Sequence, residues 1–180
     1  MDKYLKNRKI LEDGHVYSKD MEHDACGVGL IASTEGKKSR KVVEYGIQAL
    51  KAVWHRGAVD ADGKTGDGAG IHIEIASDFF AEKIEMTGHK HDNSEICVGM
   101  IFLPRNDYAS QERCRTLVES ELTKSNFSIY GWRQVPVNPK VLGDKANVTR
   151  PEITQVLFTH NDKKLIGKEL ERKLYESRRK

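Results

Sequence analysis

Long apolar runs are missing from these 180 residues. No stretch approaches the roughly 18 consecutive apolar residues of a membrane span, so no membrane association is expected. The N-terminal stretch MDKYLKNRKILEDGHVYSKDMEHDA is charged throughout. It lacks the apolar core of a secretory signal, and its acids do not suit a transit peptide. Cysteine is scarce, with only Cys26, Cys97 and Cys114. An odd number without close spacing argues against a disulfide framework or a CxxC zinc site and fits a reducing compartment. A cytoplasmic protein is the expectation. Concentrated positive charge is lacking as well. The net charge of +3 is too mild for the footprint of a nucleic-acid binder. The basic run between Lys163 and Lys180 reads as a solvated helix face. There is no internal repeat and no low-complexity tract.

What is present is the composition of one globular domain, with 38% hydrophobic and 32% charged residues. Residues 1–25 show no sustained periodicity and read as a polar leader. Cys26 to Ala32 is short, apolar and glycine-marked, as a buried strand would be. Val43, Ile47, Leu50 and Trp54 lay one stripe along a helix over 40–54, which Gly57 ends. Residues 57–70 form a loop. Ile71, Ile73 and Ile75 then alternate with His72, Glu74 and Ala76, the pattern of a half-buried strand. A short helix is expected around 78–86. Residues 96–103 form a strongly apolar run closed by Pro104, expected to be a central strand. Asp107 can cap a helix over 108–124 with Cys114, Leu117, Val118 and Leu122 on its inner face. Further strands are expected over 127–136 and 153–159. A last amphipathic helix begins near Gly167 and carries Leu170 and Leu174. Its pattern runs to Lys180 without a C-cap glycine, as if the natural protein continued.

Four groups of residues could carry chemistry. Cys26 stands at the border between the polar leader and the first apolar segment. Free cysteines are often small buried strand residues, and that reading stays open. If the leader were removed after Ala25, however, Cys26 would carry a free α-amine beside its thiol. The thiol titrates near about 8.5 and the amine near about 7.7–8.0. The amine could then take the thiol proton and later return it to a leaving ammonia. His55-Arg56-Gly57-Ala58 sits where the first long helix ends, a place that also favours basic side chains for electrostatic reasons alone.

The third group is the glycine-rich loop Thr65-Gly66-Asp67-Gly68-Ala69-Gly70. A phosphate-binding loop fails on spacing, because five residues separate Gly57 from Gly63 and the loop leads into a strand pattern. A calcium loop starting at Asp60 fails at Lys64, Thr65 and Ile71. What remains is a tight connection whose glycines let the backbone pass close to something else, which is compatible with lining an active site. The fourth group, His89-Lys90-His91-Asp92, could ligate a metal, although histidines in a polar loop more often face water; no metal site is assigned.

Taken in order, these residues resemble one family. Asp24-Ala25-Cys26-Gly27-Val28-Gly29 is similar to the processing junction of glutamate synthase large subunits. His55-Arg56-Gly57-Ala58, Ala61-Asp62 and the continuation Thr65 to Ile71 resemble the next block of that family. Gln155–Phe158 and the segment from Glu169 to Glu176 are similar to it too. The resemblance implies a class II glutamine amidotransferase domain over residues 26–180, preceded by a propeptide-like leader over 1–25. It implies an α+β fold of the N-terminal nucleophile hydrolase type, an αββα sandwich of antiparallel sheets between helices, incomplete at the C-terminal end. Cys26 would be the nucleophile and its freed amine the base, with Arg56 in a supporting role.

The implied substrate is L-glutamine. The implied product ammonia serves reductive transfer to 2-oxoglutarate, in glutamate biosynthesis and nitrogen assimilation. No cofactor is implied for this segment. FMN, an iron–sulfur cluster and NAD(P)H or ferredoxin are implied for the full-length parent, along with its remaining synthase domains and a small electron-transfer subunit. The family's oxyanion-hole Asn-Gly pair has no counterpart, since no Asn-Gly dipeptide occurs in this chain. Loss of an oxyanion donor costs about 10²–10³ in turnover, so the 180-residue chain alone is expected to be inactive. Two alternatives stay open here: the glutaminase domain of another class II amidotransferase, or a non-catalytic binding module with a structural Cys26.

Overall fold

The computed structural model describes residues 2–14, 27–54, 57–92 and 94–179. Cys26, His55 and Arg56 lie outside the described residues. The chain divides into two compact units, residues 1–56 and residues 57–180.

Among the described residues, the first unit holds two α-helices. Helix α1, Asp2–Asp13, was not expected from the polar leader. It lacks an apolar stripe, and its Leu5 and Ile10 are exposed. Its sequence is rich in strong helix formers, and Arg8 pairs with Glu12 one turn on at 3.2 Å. Local preference is enough to account for it. Helix α2, Arg40–Ala52, starts at Ser39, whose side chain accepts from the Lys41 amide. The expected stripe is half-buried at Val43, Ile47 and Leu50 but stops short of Trp54. The helix ends before Trp54 and well before Gly57, so the indole lies past its last turn, largely exposed.

The stretch from Gly27 to Ala32, expected as a buried strand, is irregular, with Val28 95% exposed. A strand exists only where a neighbour supplies its ladder of hydrogen bonds. None of the described residues forms a ladder with it. The same holds for 71–75: the alternation is there, yet the segment joins no sheet, and Ile71, Ile73 and Ile75 remain exposed.

The second unit is built on a three-stranded antiparallel sheet. Strands β1, Cys97–Leu103, β2, Phe127–Gln134, and β3, Glu152–His160, stand in the order β1-β3-β2. The apolar run of β1 was expected at the centre. The centre is β3, whose residues from Thr154 to His160 are all buried. β1 borders the sheet and leaves Met100 and Phe102 exposed. Hydrophobic content alone cannot tell an edge strand from a central one, because position is set by which strands come to pair.

Helices cover both faces of this sheet. On one face, Val156 and Phe158 of β3 pack with Leu122 of α4, Tyr108–Lys124, and Leu170 of α6, Gly167–Arg178. On the other, Leu157 packs with Ile84 of α3, Ser77–Glu85. The alternation of 156, 157 and 158 between two cores is the period of a strand buried on both sides. Tyr130 is the extra residue of a bulge in β2 between Ile129 and Gly131, and it too packs on the α3 side.

Asp107 caps α4 as expected, its carboxylate accepting from the Ser110 amide at 2.9 Å. Leu117, expected on the inner face, is 64% exposed. The inward positions are Gln111, Val118 and Leu122, and Glu119 accepts from the Trp132 indole at 2.6 Å. A short 3₁₀ turn, Pro139–Val141, and helix α5, Asp144–Thr149, precede β3. No helix among the described residues is long and apolar enough to cross a membrane. Mixed helices around an antiparallel sheet make an α+β fold.

Candidate active site

Of the two residues expected to carry the chemistry, Cys26 and Arg56, neither falls among the described residues. The segment directly after Arg56 does. Residues 57–67 form a small closed loop. Val59 and Gly66 make an isolated antiparallel bridge, and the Asp60 amide donates to the Thr65 carbonyl at 2.7 Å. The loop turns through Gly63, whose φ of +68° suits a residue without a side chain.

Aspartates hold this loop at its base and its tip. At the base, the Ala58 amide donates to Asp67 Oδ2 at 2.9 Å, and the Asp67 amide donates back to the Ala58 carbonyl at 3.3 Å. At the tip, Asp62 Oδ1 accepts from the amides of Lys64, 2.9 Å, and Thr65, 2.6 Å, while its Oδ2 accepts from the Thr65 hydroxyl at 2.5 Å. These bonds favour the ionised carboxylate. The Thr65 hydroxyl contributes most and the two amides come next, and the Asp62 pKa falls from 3.8 to about 2.

The tip rests against the start of α5, at its N-cap Gly143 and at Lys145 in its first turn. Lys145 Nζ lies 2.9 and 2.7 Å from the two carboxylate oxygens of Asp60. Gly143 is buried, and a Cβ built on it would stand 2.5 Å from the Thr65 amide nitrogen. It would come closer still to Thr65 Oγ1 and Asp62 Oδ2. Beyond the loop, Gly68 and Gly70 have open space around them, and the chain runs on, extended and exposed, through 71–75.

The glycine-rich loop was singled out in the sequence as a backbone passing close to something. Among its glycines only Gly66 meets such an approach, a Cβ there standing 2.9 Å from the Ala58 carbonyl of the same loop, while Gly68 and Gly70 face open space; the close approach to the tip comes from Gly143. The aspartates that scaffold the loop were not foreseen. Asp62 and Asp67 carried a usable signal, since Asp followed by Gly is turn chemistry. Gly143 and Lys145 carried none, because Lys145 is 85 residues from Asp60 in the chain.

The remaining candidates are absorbed by local structure. His89 Nδ1 lies 3.0 Å from Thr87 Oγ1, and His91 Nε2 lies 2.9 Å from the Ser94 carbonyl. Both rings stand edge-on to Tyr130. Asp92 is held well below the usual carboxylate range, first by its hydrogen bond from Lys163 and then by that from Ser94. Among the described residues, no group of three or more His, Cys, Asp or Glu side chains could hold a metal ion. Cys97 lies buried in β1, and burial pushes its thiol up to about 12, so it is no nucleophile at neutral pH. An open cleft of about 410 Å³ between Pro104–Asn106 and Val148–Pro151 includes no residue of the loop.

Known proteins are similar to this chain over most of its length. The chain is 51% identical over 176 residues to the glutamate synthase [NADPH] large chain of Azospirillum brasilense, covering 98% of this chain and 12% of that protein. It is 39% identical over 158 residues to ferredoxin-dependent glutamate synthase 2 of Synechocystis sp., covering 87% and 10%. With glutamate synthase [NADH] of Saccharomyces cerevisiae the identity is 37% over 148 residues, covering 79% and 7%. The chain thus spans about a tenth of the length of these relatives. Residues 26–180 match the class-II glutamine amidotransferases, and the chain belongs to that family.

Proposed function

We propose that this chain supplies the glutaminase portion of a glutamate synthase, with Cys26 as nucleophile. The observation that carries the reading is the family match, which begins at Cys26 itself. The three relatives are all named glutamate synthases. That supports 2-oxoglutarate as the eventual acceptor of the ammonia over a sugar phosphate.

In this reading residues 1–25 are removed and Cys26 becomes the first residue. Its α-amine takes the thiol proton, and the thiolate attacks the side-chain amide carbon of glutamine. The amine returns the proton to the amide nitrogen, the C–N bond breaks, and ammonia leaves behind a glutamyl thioester. Water adds to the thioester, the C–S bond breaks, and glutamate departs with the thiol restored. Arg56 serves beside this centre as a supporting cation. The fold completes as an αββα sandwich. The exposed, alternating segment 71–75 supports that reading, because it is strand material outside the three-stranded sheet.

FMN, an iron–sulfur cluster and the electron donor belong, in this reading, to the remaining domains of the parent and to its partner subunit. The residues of this chain do not fit a cluster. Of its three cysteines Cys97 is buried in β1 and Cys114 sits on α4, and no metal-holding group occurs among the described residues.

The test is Cys26→Ala in the full-length enzyme that carries this segment. Glutamate formation driven by glutamine is expected to vanish while formation driven by added ammonia continues. Intact-mass analysis of the wild type is expected to find the chain starting at Cys26. An active enzyme that retains residues 1–25 sinks the proposal.

A further inference from the structure

We propose that Gly143 and Lys145 are positioning residues for glutamine turnover, acting through the glycine-rich loop 57–67 that they hold in place. The inference rests on the glutaminase reading.

The loop is closed at its base by the paired bonds between Ala58 and Asp67 and at its tip by Asp62. Those bonds shape the loop but do not attach it to anything. Attachment comes from the start of α5. Gly143 sits against the Asp62–Thr65 turn so closely that a Cβ would occupy the space of the hydrogen bonds that form the turn. A Cβ under 3.0 Å from other atoms forces a shift. Here the atoms are a backbone nitrogen and the two oxygens of a bonded pair, not the free end of a flexible side chain. Two residues further on, Lys145 reaches both carboxylate oxygens of Asp60. Tip and anchor therefore meet in a close backbone contact and an ion pair side by side.

The functional link is the identity of the loop. It starts at Gly57, directly after Arg56, and ends in Thr65-Gly66-Asp67, the first half of the Thr65–Gly70 motif singled out from the sequence. Gly68 and Gly70 come next with open space beside them, backbone that a small polar substrate could approach. A loop used in that way must keep its place, since a displacement of about 1 Å at a distance from the chemistry can cost roughly 10²-fold in rate. The ion pair is exposed, with Lys145 67% accessible, so it is worth little to global stability. Its loss is expected to show in kinetics first.

The experiment uses the full-length enzyme that carries this segment, in four variants: Gly143→Ala, Lys145→Ala, the charge swap Asp60→Lys with Lys145→Asp, and Cys26→Ala as control. Glutamine-driven and ammonia-driven glutamate formation are measured for each. Gly143→Ala is expected to lower kcat/KM for glutamine by roughly 10²-fold with ammonia-driven turnover unchanged. Lys145→Ala is expected to raise KM for glutamine more than it lowers kcat, and the swap to recover most of the loss. Wild-type glutamine kinetics in Gly143→Ala and Lys145→Ala overturn the proposal, as does an equal fall in both activities. Should Gly143→Ala fail to fold, Lys145→Ala and the swap decide on the same criteria. If Cys26→Ala keeps its glutamine-driven turnover, the glutaminase reading itself falls. Loss there beside wild-type kinetics at 143 and 145 removes only the positioning role.

Discussion

Asp62 is exposed, yet it collects three hydrogen bonds from within its own turn. Folding thereby favours its ionised form and lowers its pKa from 3.8 to about 2. The sign comes from linkage: the contribution is present in full above the ordinary value and is lost as the pH falls from there through about 2. An NMR titration of the chain is expected to find Asp62 ionised down to about pH 2. Thr65→Val removes the largest cause, the hydroxyl bond, and should bring the midpoint back toward the ordinary carboxylate value. An Asp62 that titrates at 3.8 in the wild type would show that the turn does not hold in solution. The sequence marked this loop by its glycines, whose permissive backbone can be recognised from residue type alone. The roles of Asp62 and Asp67 are geometric, and geometry has no one-letter signature.

At the scale of elements, the segments that fold as expected are those whose pattern is satisfied locally. Helix α4 runs over the anticipated residues because Asp107 caps it and its inner positions recur at helical spacing. Strands need partners, and there the expectations divide. β1, β2 and β3 form where anticipated, whereas 71–75 carries the same kind of pattern and stays outside the sheet. The order β1-β3-β2 makes a direct comparison possible. Leu157 on β3 is fully buried against α3, and Leu157→Ala is expected to destabilise by about 2–5 kcal/mol. Phe102 on β1 is the larger side chain but is 63% exposed, and Phe102→Ala should stay within about 0.5 kcal/mol. Urea unfolding of the two variants checks both. A larger loss at Phe102 would mean that β1, not β3, is the central strand.

For the molecule as a whole, burial is uneven. In the second unit it concentrates on β3 and the two helical layers over it, while α2 in the first unit has no fully buried residue. Local opening depends on burial and hydrogen bonding. Amides from Val156 to Phe158 are therefore expected to exchange slowest, and those of Ile71 and Ile73 far sooner, in hydrogen exchange read by NMR. Protection at Ile71 equal to that of β3 would place 71–75 in a sheet. By itself the sequence determined the family, through the ordered blocks around Cys26, Arg56 and Thr65–Ile71, and most helix and strand positions, through caps and periodicity. Both depend on residue identity and short spacing, which a linear chain displays. Only the tertiary structure decided that β3 lies at the centre, that Leu117 faces outward, and that Gly143 and Lys145 hold the loop. Those facts depend on which distant segments meet, and the free energy of such meetings belongs to pairs of residues tens of positions apart.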